Sequence, residues 1–217
     1  MKYLDQPRCH RWMPRSEWAV GVLLTIVVPL VGATTWISVE RLPALVREST
    51  RAVLATVESV EYRYDERRMP STFVRLIVED RLYGEALPAV GEPLEIKIYG
   101  APEPMPDGLQ MRIDGAPRYR PGQRYLLLLR SDSPWGFTNP PGLFFGVFRI
   151  EGSAGEFRAQ SLGGNDQVFG PEGLAAYLEP GSLTPAVLAR LREPGAAVPY
   201  ALLKRAVQRL KARSRQR

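Results

Sequence analysis

Residues 109–130 read LQMRIDGAPRYRPGQRYLLLLR, where turn signals feed into the most apolar run of the polar part of the chain. Asp114-Gly115 and Pro121-Gly122 are turn dipeptides, because proline presets a negative φ and glycine accepts the positive φ of a tight turn. The stretch predicts a strand, a tight turn and a second strand. Successive strand side chains point to opposite faces, so Leu126, Leu127, Leu128 and Leu129 cannot all serve one face. That strand must be covered on both sides or lie inside a closed barrel, and it is the expected centre of the fold.

Working upstream, residues 51–65 put Val53, Ala55 and Val57 on one face and Val60, Tyr62 and Tyr64 on the other. The switch near Glu58-Ser59 predicts a β-bulge in a long, bent strand. Residues 72–83 alternate Val74, Leu76, Val78 and Leu82 against Phe73, Arg75, Ile77 and Glu79, as the return strand of a hairpin. Residues 93–100 turn Leu94, Ile96 and Ile98 inward. Residues 101–108, with three prolines, form a loop too rigid to be disordered and too proline-rich to pair. Ahead of the first strand, residues 38–49 place Leu42, Leu45 and Val46, with Ile37 just before them, near one face of a short helix, with Ser38 as N-cap and Pro43 in the first turn.

Downstream, residues 131–141 form a long loop containing Pro134 and Trp135. Residues 143–150 predict an aromatic strand with Phe144, Phe145 and Phe148, and residues 156–162 a shorter strand closed by Gly163-Gly164-Asn165-Asp166. Beyond Pro171 the pattern turns helical: residues 172–178, residues 185–192 after a Thr184 N-cap, and residues 200–213, where Tyr200, Leu203, Val207 and Leu210 share a stripe. The expected architecture is a mainly β, OB-like barrel of five to six strands over residues 38–170. A helical extension with a basic tail follows at 171–217, and a signal or anchor precedes at 1–33.

Of 217 residues, 29 are Lys or Arg and 23 Asp or Glu, a net charge of +6. Seven of the basic residues (Lys204, Arg205, Arg209, Lys211, Arg213, Arg215, Arg217) fall in the last fourteen positions, where no acid occurs. The rest of the chain carries 22 basic against 23 acidic residues, so the basicity belongs to a tail and a nucleic-acid footprint is missing. The single cysteine, Cys9, and the single histidine, His10, precede the apolar segment. Cys/His zinc sites, a Ser-His-Asp triad, thiol proteases and a disulfide framework are therefore excluded from the domain, and no cofactor is expected.

Residues 19–39 carry no charge and follow Arg8, Arg11 and Arg15. The apolar core, including Ala19, Leu23, Leu24, Ile26, Val27 and Leu30, reads as an export signal cleaved after Ala33 or as a membrane anchor. In both cases the basic flank stays cytoplasmic and the domain is exported, periplasmic, extracellular or held outside the cytoplasmic membrane.

In this order of elements the chain resembles a group of uncharacterised exported bacterial β-domain proteins. The resemblance rests on the helix ending near Ser49 and running into residues 53–60, the strand at 73–82 ending in Tyr83-Gly84-Glu85, the stretch 109–129, and residues 142–148. It implies an OB-type barrel like that of netrin-like modules and tissue metalloprotease inhibitors, with protease association in some members. Those inhibitors reach zinc through an N-terminal disulfide-bonded cysteine, and the domain here has none.

The function expected from these features is a non-enzymatic binding or accessory module with an envelope or secreted protein as partner. Trp135, Phe144 and Phe145 form a candidate aromatic patch, set against packing of the same rings in the core. Arg120 and Arg124, beside Tyr119 and Tyr125, mix charge and aromatics as single-strand nucleic-acid platforms do, although export removes that substrate. A carboxylate-based hydrolase drawing on Asp107, Asp114 and Asp166 is the alternative, and a membrane-held structural protein a third reading. Gly163-Gly164-Asn165-Asp166 reads as a turn rather than a phosphate or cation cradle, since it lacks the lysine or spaced carboxylates such sites use.

Overall fold

The four leucines lie on β4 (Arg124–Leu129) and all are fully buried, in a computed structural model that describes residues 41–84, 87–153, 155–179, 183–193 and 195–216. β4 pairs on one side with β1 (Arg51–Tyr64) and on the other with β5 (Val147–Glu151). From β1 the sheet continues through β2 (Pro70–Tyr83) to β3 (Pro93–Tyr99), and from β5 through β6 (Arg158–Ser161) to β7 (Val198–Pro199). Among the described residues this gives one seven-stranded antiparallel sheet of order β3-β2-β1-β4-β5-β6-β7.

Both faces of the sheet are covered, as four successive leucines require. Leu126 and Leu128, with Ala52, Leu54, Phe148 and Ile150, face a helical layer of α1 (Leu42–Glu48), α2 (Asn165–Phe169), α3 (Pro185–Leu191) and α4 (Tyr200–Arg215). Leu127 and Leu129 join Val53, Ala55, Val57, Val74, Leu76, Ile96 and Ile98 on the other face, closed over by Leu87 and Tyr119 from loops. Each buried leucine contributes about 2 kcal/mol through apolar burial. In α1, Pro43 sits in the first turn and Leu42, Leu45 and Val46 are buried. Arg41 is the N-cap, and Ser38 lies outside the described residues, as do Ala19, Leu23, Leu24, Ile26, Val27 and Leu30. No helix among the described residues is long and apolar enough to cross a membrane.

The expected bulge in β1 is present: Val57 pairs with Leu76 and Ser59 with Arg75, leaving Glu58 unpaired. Four other expectations need correction. First, the sheet does not close into a barrel. The outer edge of β3 meets residues 131–141 instead of a strand, through Thr138 N–H donating to the Lys97 carbonyl at 2.7 Å. Pro134, Pro140 and Pro141 leave that loop short of the donors a ladder needs. Second, the anticipated strand early in 109–130 is irregular chain, with a single bridge from Met111 to Ala101. It serves as cover, Tyr119 packing edge-on against Tyr125 at 5.4 Å. Third, Phe144 and Phe145 do not stand on opposite faces of a strand. Gly142 and Leu143 have φ of 60° and 55°, which turns the chain into a 3-10 helix, Leu143–Gly146, before β5 begins. Fourth, Leu82 does not share a face with Val78. Ala55 pairs with Val78 and Leu54 with Asp80, so Glu79 is an extra residue that reverses the alternation, and Leu82 joins the helical face.

Candidate functional site

The five residues of the expected binding surface are not one patch. Phe145 is buried against the helical layer and Phe144 packs beside it, the rings 4.5 Å apart. Arg124 lies along Phe157, 4.5 Å from the ring centroid, and pairs with Glu79 at 2.7 Å. Arg120 is exposed ahead of the first residue of β4, and Trp135 follows its last. All of β4 lies between these two in the chain. Trp135 is 55% exposed, on the loop that follows the strand.

The turn that carries Trp135 is held from several sides. Ser133 N–H donates to the Phe137 carbonyl at 2.9 Å, Gly136 N–H to the Ser133 carbonyl at 2.8 Å, and Phe137 N–H to Ser133 Oγ at 3.0 Å. The Thr138 hydroxyl donates to Asp132, which also pairs with Arg51 of β1. Phe137 then anchors the turn to β3, edge-on to Tyr99 at 5.5 Å and beneath the Lys97 ammonium at 4.7 Å. Lys97 in turn pairs at 3.1 Å with Asp65, at the start of the β1–β2 turn. Asp65 accepts from the backbone N–H groups of Met69 and Arg67, both at 2.9 Å. The Met69 N–H, then Lys97 and the Arg67 N–H, hold its carboxyl below the usual carboxylate range against the opposing effect of burial. Pro134, whose ring fixes φ, completes a frame in which backbone and neighbours are fixed while the indole faces solvent.

A second polar cluster was not anticipated from the sequence. The Glu79 bulge directs both Glu79 and Asp80 to the helical face of the sheet. Glu79 accepts from the Thr56 hydroxyl and from Arg124, while Asp80 accepts from the Tyr200 phenol at 2.9 Å and pairs with Lys204. Burial, with Asp80 and Glu79 nearby, pushes the Tyr200 phenol far above its ordinary value. Each carboxylate has a cation of its own, so the group latches α4 to β2. The only signal in the sequence was the lapse of alternation at Glu79-Asp80-Arg81.

Ser49, Tyr83 and Lys211 bring together a hydroxyl, a phenol and an amine, the groups of a nucleophilic site. Their geometry opposes that chemistry. Ser49 is buried and donates to the Val46 carbonyl at 2.9 Å, which leaves the Tyr83 phenol to donate to it. Lys211 donates to the Val46 and Ser49 carbonyls and so caps the C-terminal end of α1. Burial pushes the Tyr83 phenol up to about 12 and, with help from Arg215, lowers Lys211.

The hydrolase candidates are not brought together. Asp107 is exposed and accepts from the Tyr64 phenol at 2.7 Å and the Leu109 N–H at 3.0 Å, Asp114 is exposed in a turn, and Asp166 is exposed in α2. No three His, Cys, Asp or Glu side chains among the described residues are grouped to hold a metal. In Gly163-Gly164-Asn165-Asp166 the Asn165 side chain is committed within the fold, accepting from Ser161 N–H at 2.8 Å and donating to the Ala159 and Ala196 carbonyls at 3.2 and 2.6 Å. Comparison with protein-family models, with curated proteins and with solved structures finds no match.

Proposed function

We propose that this chain is a non-enzymatic binding or accessory module of the cell envelope, exported by its apolar N-terminal segment, and that Trp135 is the anchor by which it engages a protein partner. The observation that carries the reading is a large aromatic side chain, 55% exposed, on a turn fixed by its own hydrogen bonds and by β1 and β3. A lone exposed aromatic is common; one on a preorganised support costs little further entropy when it is buried by a partner. Tryptophan is also among the residues that concentrate binding energy at interfaces. Phe144 and Phe145 have no part in this, because they are already packed in the domain.

The test is site-specific photocrosslinking in the native host, with a benzophenone amino acid at position 135 and, as control, at Val90, which is 62% exposed on another loop. The expected result is a discrete adduct from position 135 and none from 90. Equal patterns from the two positions, or no adduct from 135, refute the proposal.

A further inference from the structure

The outer side of α4 holds a feature that the Trp135 surface does not explain. A pocket of about 250 Å³ opens between residues 178–179 and the helix, lined by Leu178, Glu179, Leu202, Arg205, Gln208 and Arg209. Arg205 and Arg209 are one turn apart and so share a face. Arg209 Nη1 is buried without a hydrogen-bond acceptor among the described residues. A buried charged donor left unpaired is costly, and an oxyanion in the pocket would remove that cost. Glu179, the carboxylate on the wall, already has an interaction of its own.

The remaining charges of α4 show what kind of anion the site fits. Its apolar stripe is spent on the domain, with Tyr200, Leu203, Ala206 and Val207 buried, so the helix cannot insert into a bilayer by that face. Lys204 is taken by Asp80 and Lys211 by the carbonyls of α1. Arg205 and Arg213 remain on the exposed side, with Arg215 at the end of the helix. The C-terminal half of α4 packs on α1, which begins three residues after the apolar run at 19–39.

We propose that this pocket binds the phosphate group of an anionic membrane lipid, with Arg209 and Arg205 taking the phosphate and Leu178 and Leu202 flanking the glycerol and upper acyl chain. Arg213 and Arg215 add longer-range attraction to a negatively charged surface. The site is separate from the Trp135 turn, and its failure would leave the protein-binding proposal untouched.

The test uses the full-length chain with Cys9→Ser and Ala212→Cys, an environment-sensitive fluorophore on the new thiol, in neutral detergent micelles doped with phosphatidylglycerol or phosphatidylcholine. A saturable response to phosphatidylglycerol is expected, at least about tenfold weaker with phosphatidylcholine. Arg209→Gln should weaken it about tenfold, the loss of one charge-assisted contact, whereas Arg213→Gln, with the same change of charge outside the pocket, should weaken it less than about twofold. Arg205→Gln, at an exposed position, gives the same reading if circular dichroism shows Arg209→Gln disturbing the helix. Equal responses to the two lipids, or equal losses in the pocket variants and Arg213→Gln, overturn the proposal. Abolition of the phosphatidylglycerol response by millimolar inorganic phosphate also overturns it, assigning the pocket to a soluble phosphate.

Discussion

Asn165 supports a prediction that separates a structural bracket from a ligand site. Its side chain is buried and ties together Ser161 of β6, Ala159 of the same strand, and Ala196 ahead of β7. Truncation in Asn165→Ala leaves a buried N–H without an acceptor, takes one donor from each of two carbonyls, and opens a cavity of about amide size. An orphaned buried donor costs about 1–3 kcal/mol, so with the weakened carbonyls and partial relaxation the expected loss is about 3 kcal/mol. Asn165→Asp keeps the acceptor for Ser161 N–H but turns a carboxylate toward two carbonyl oxygens. Burial and those oxygens would raise its folded pKa above the unfolded value. The variant is then most stable at low pH, where the acid is protonated, and loses stability as pH rises from about 4 through its folded pKa. Urea denaturation followed by circular dichroism, at several pH values and with unchanged m, measures both effects. A loss below about 1 kcal/mol for Asn165→Ala, or an Asn165→Asp variant as stable as wild type at pH 7, would refute the bracket.

Four further outcomes are expected. Gly163→Ala would place a methyl 2.1 Å from Phe145 Cδ1 and 2.9 Å from Phe144 Cδ2, and should cost about 2–3 kcal/mol in thermal melting. Gly108→Ala, at φ 81° but in open space, should cost about 1 kcal/mol from backbone strain. Tyr200→Phe removes one hydrogen bond to Asp80 while keeping the ring, and urea denaturation should register a loss of about 1 kcal/mol. Asp65 is held below its ordinary value of 3.8, so the stability it supplies is present above that pH and is lost as pH falls through its lower folded value. Asp65→Asn should therefore lower stability at neutral pH and flatten the acid limb of a stability–pH curve between about 2 and 5.

Much of the fold was legible because hydrophobic periodicity is a local property. The alternation in residues 93–99, the switch at Glu58-Ser59 and the stripe of α4 are present in the structure as the sequence implies. Where local signals compete, the reading failed. Phe144 and Phe145 look like strand residues, but the left-handed Gly142 and Leu143 turn the chain ahead of them, and Gly163 leaves room for the two rings. The bulge at Glu79 shifts Asp80, Arg81 and Leu82 by one face, and what fills the new positions is α4, some 120 residues further on. For the candidate site, Trp135 stood out in the sequence as a large aromatic in a polar loop. The braces that fix its turn, Lys97 and Arg51, come from strands far away in the chain.

The sequence by itself determined that β4 is either covered on both faces or enclosed in a barrel, that the fold is mainly β with a helical end, and that residues 41–217 contain no Cys or His. These follow from side-chain alternation and composition, which need no knowledge of what lies across the sheet. Only the tertiary structure decided that the sheet stays open, which carboxylates meet which cations, and that one guanidinium nitrogen of Arg209 is buried without an acceptor among the described residues. Such outcomes depend on distant edges and charges competing for the same partners. At β3 that competition was won by a proline-rich loop, because it reaches Lys97 with a single donor and offers no ladder on which a barrel could close.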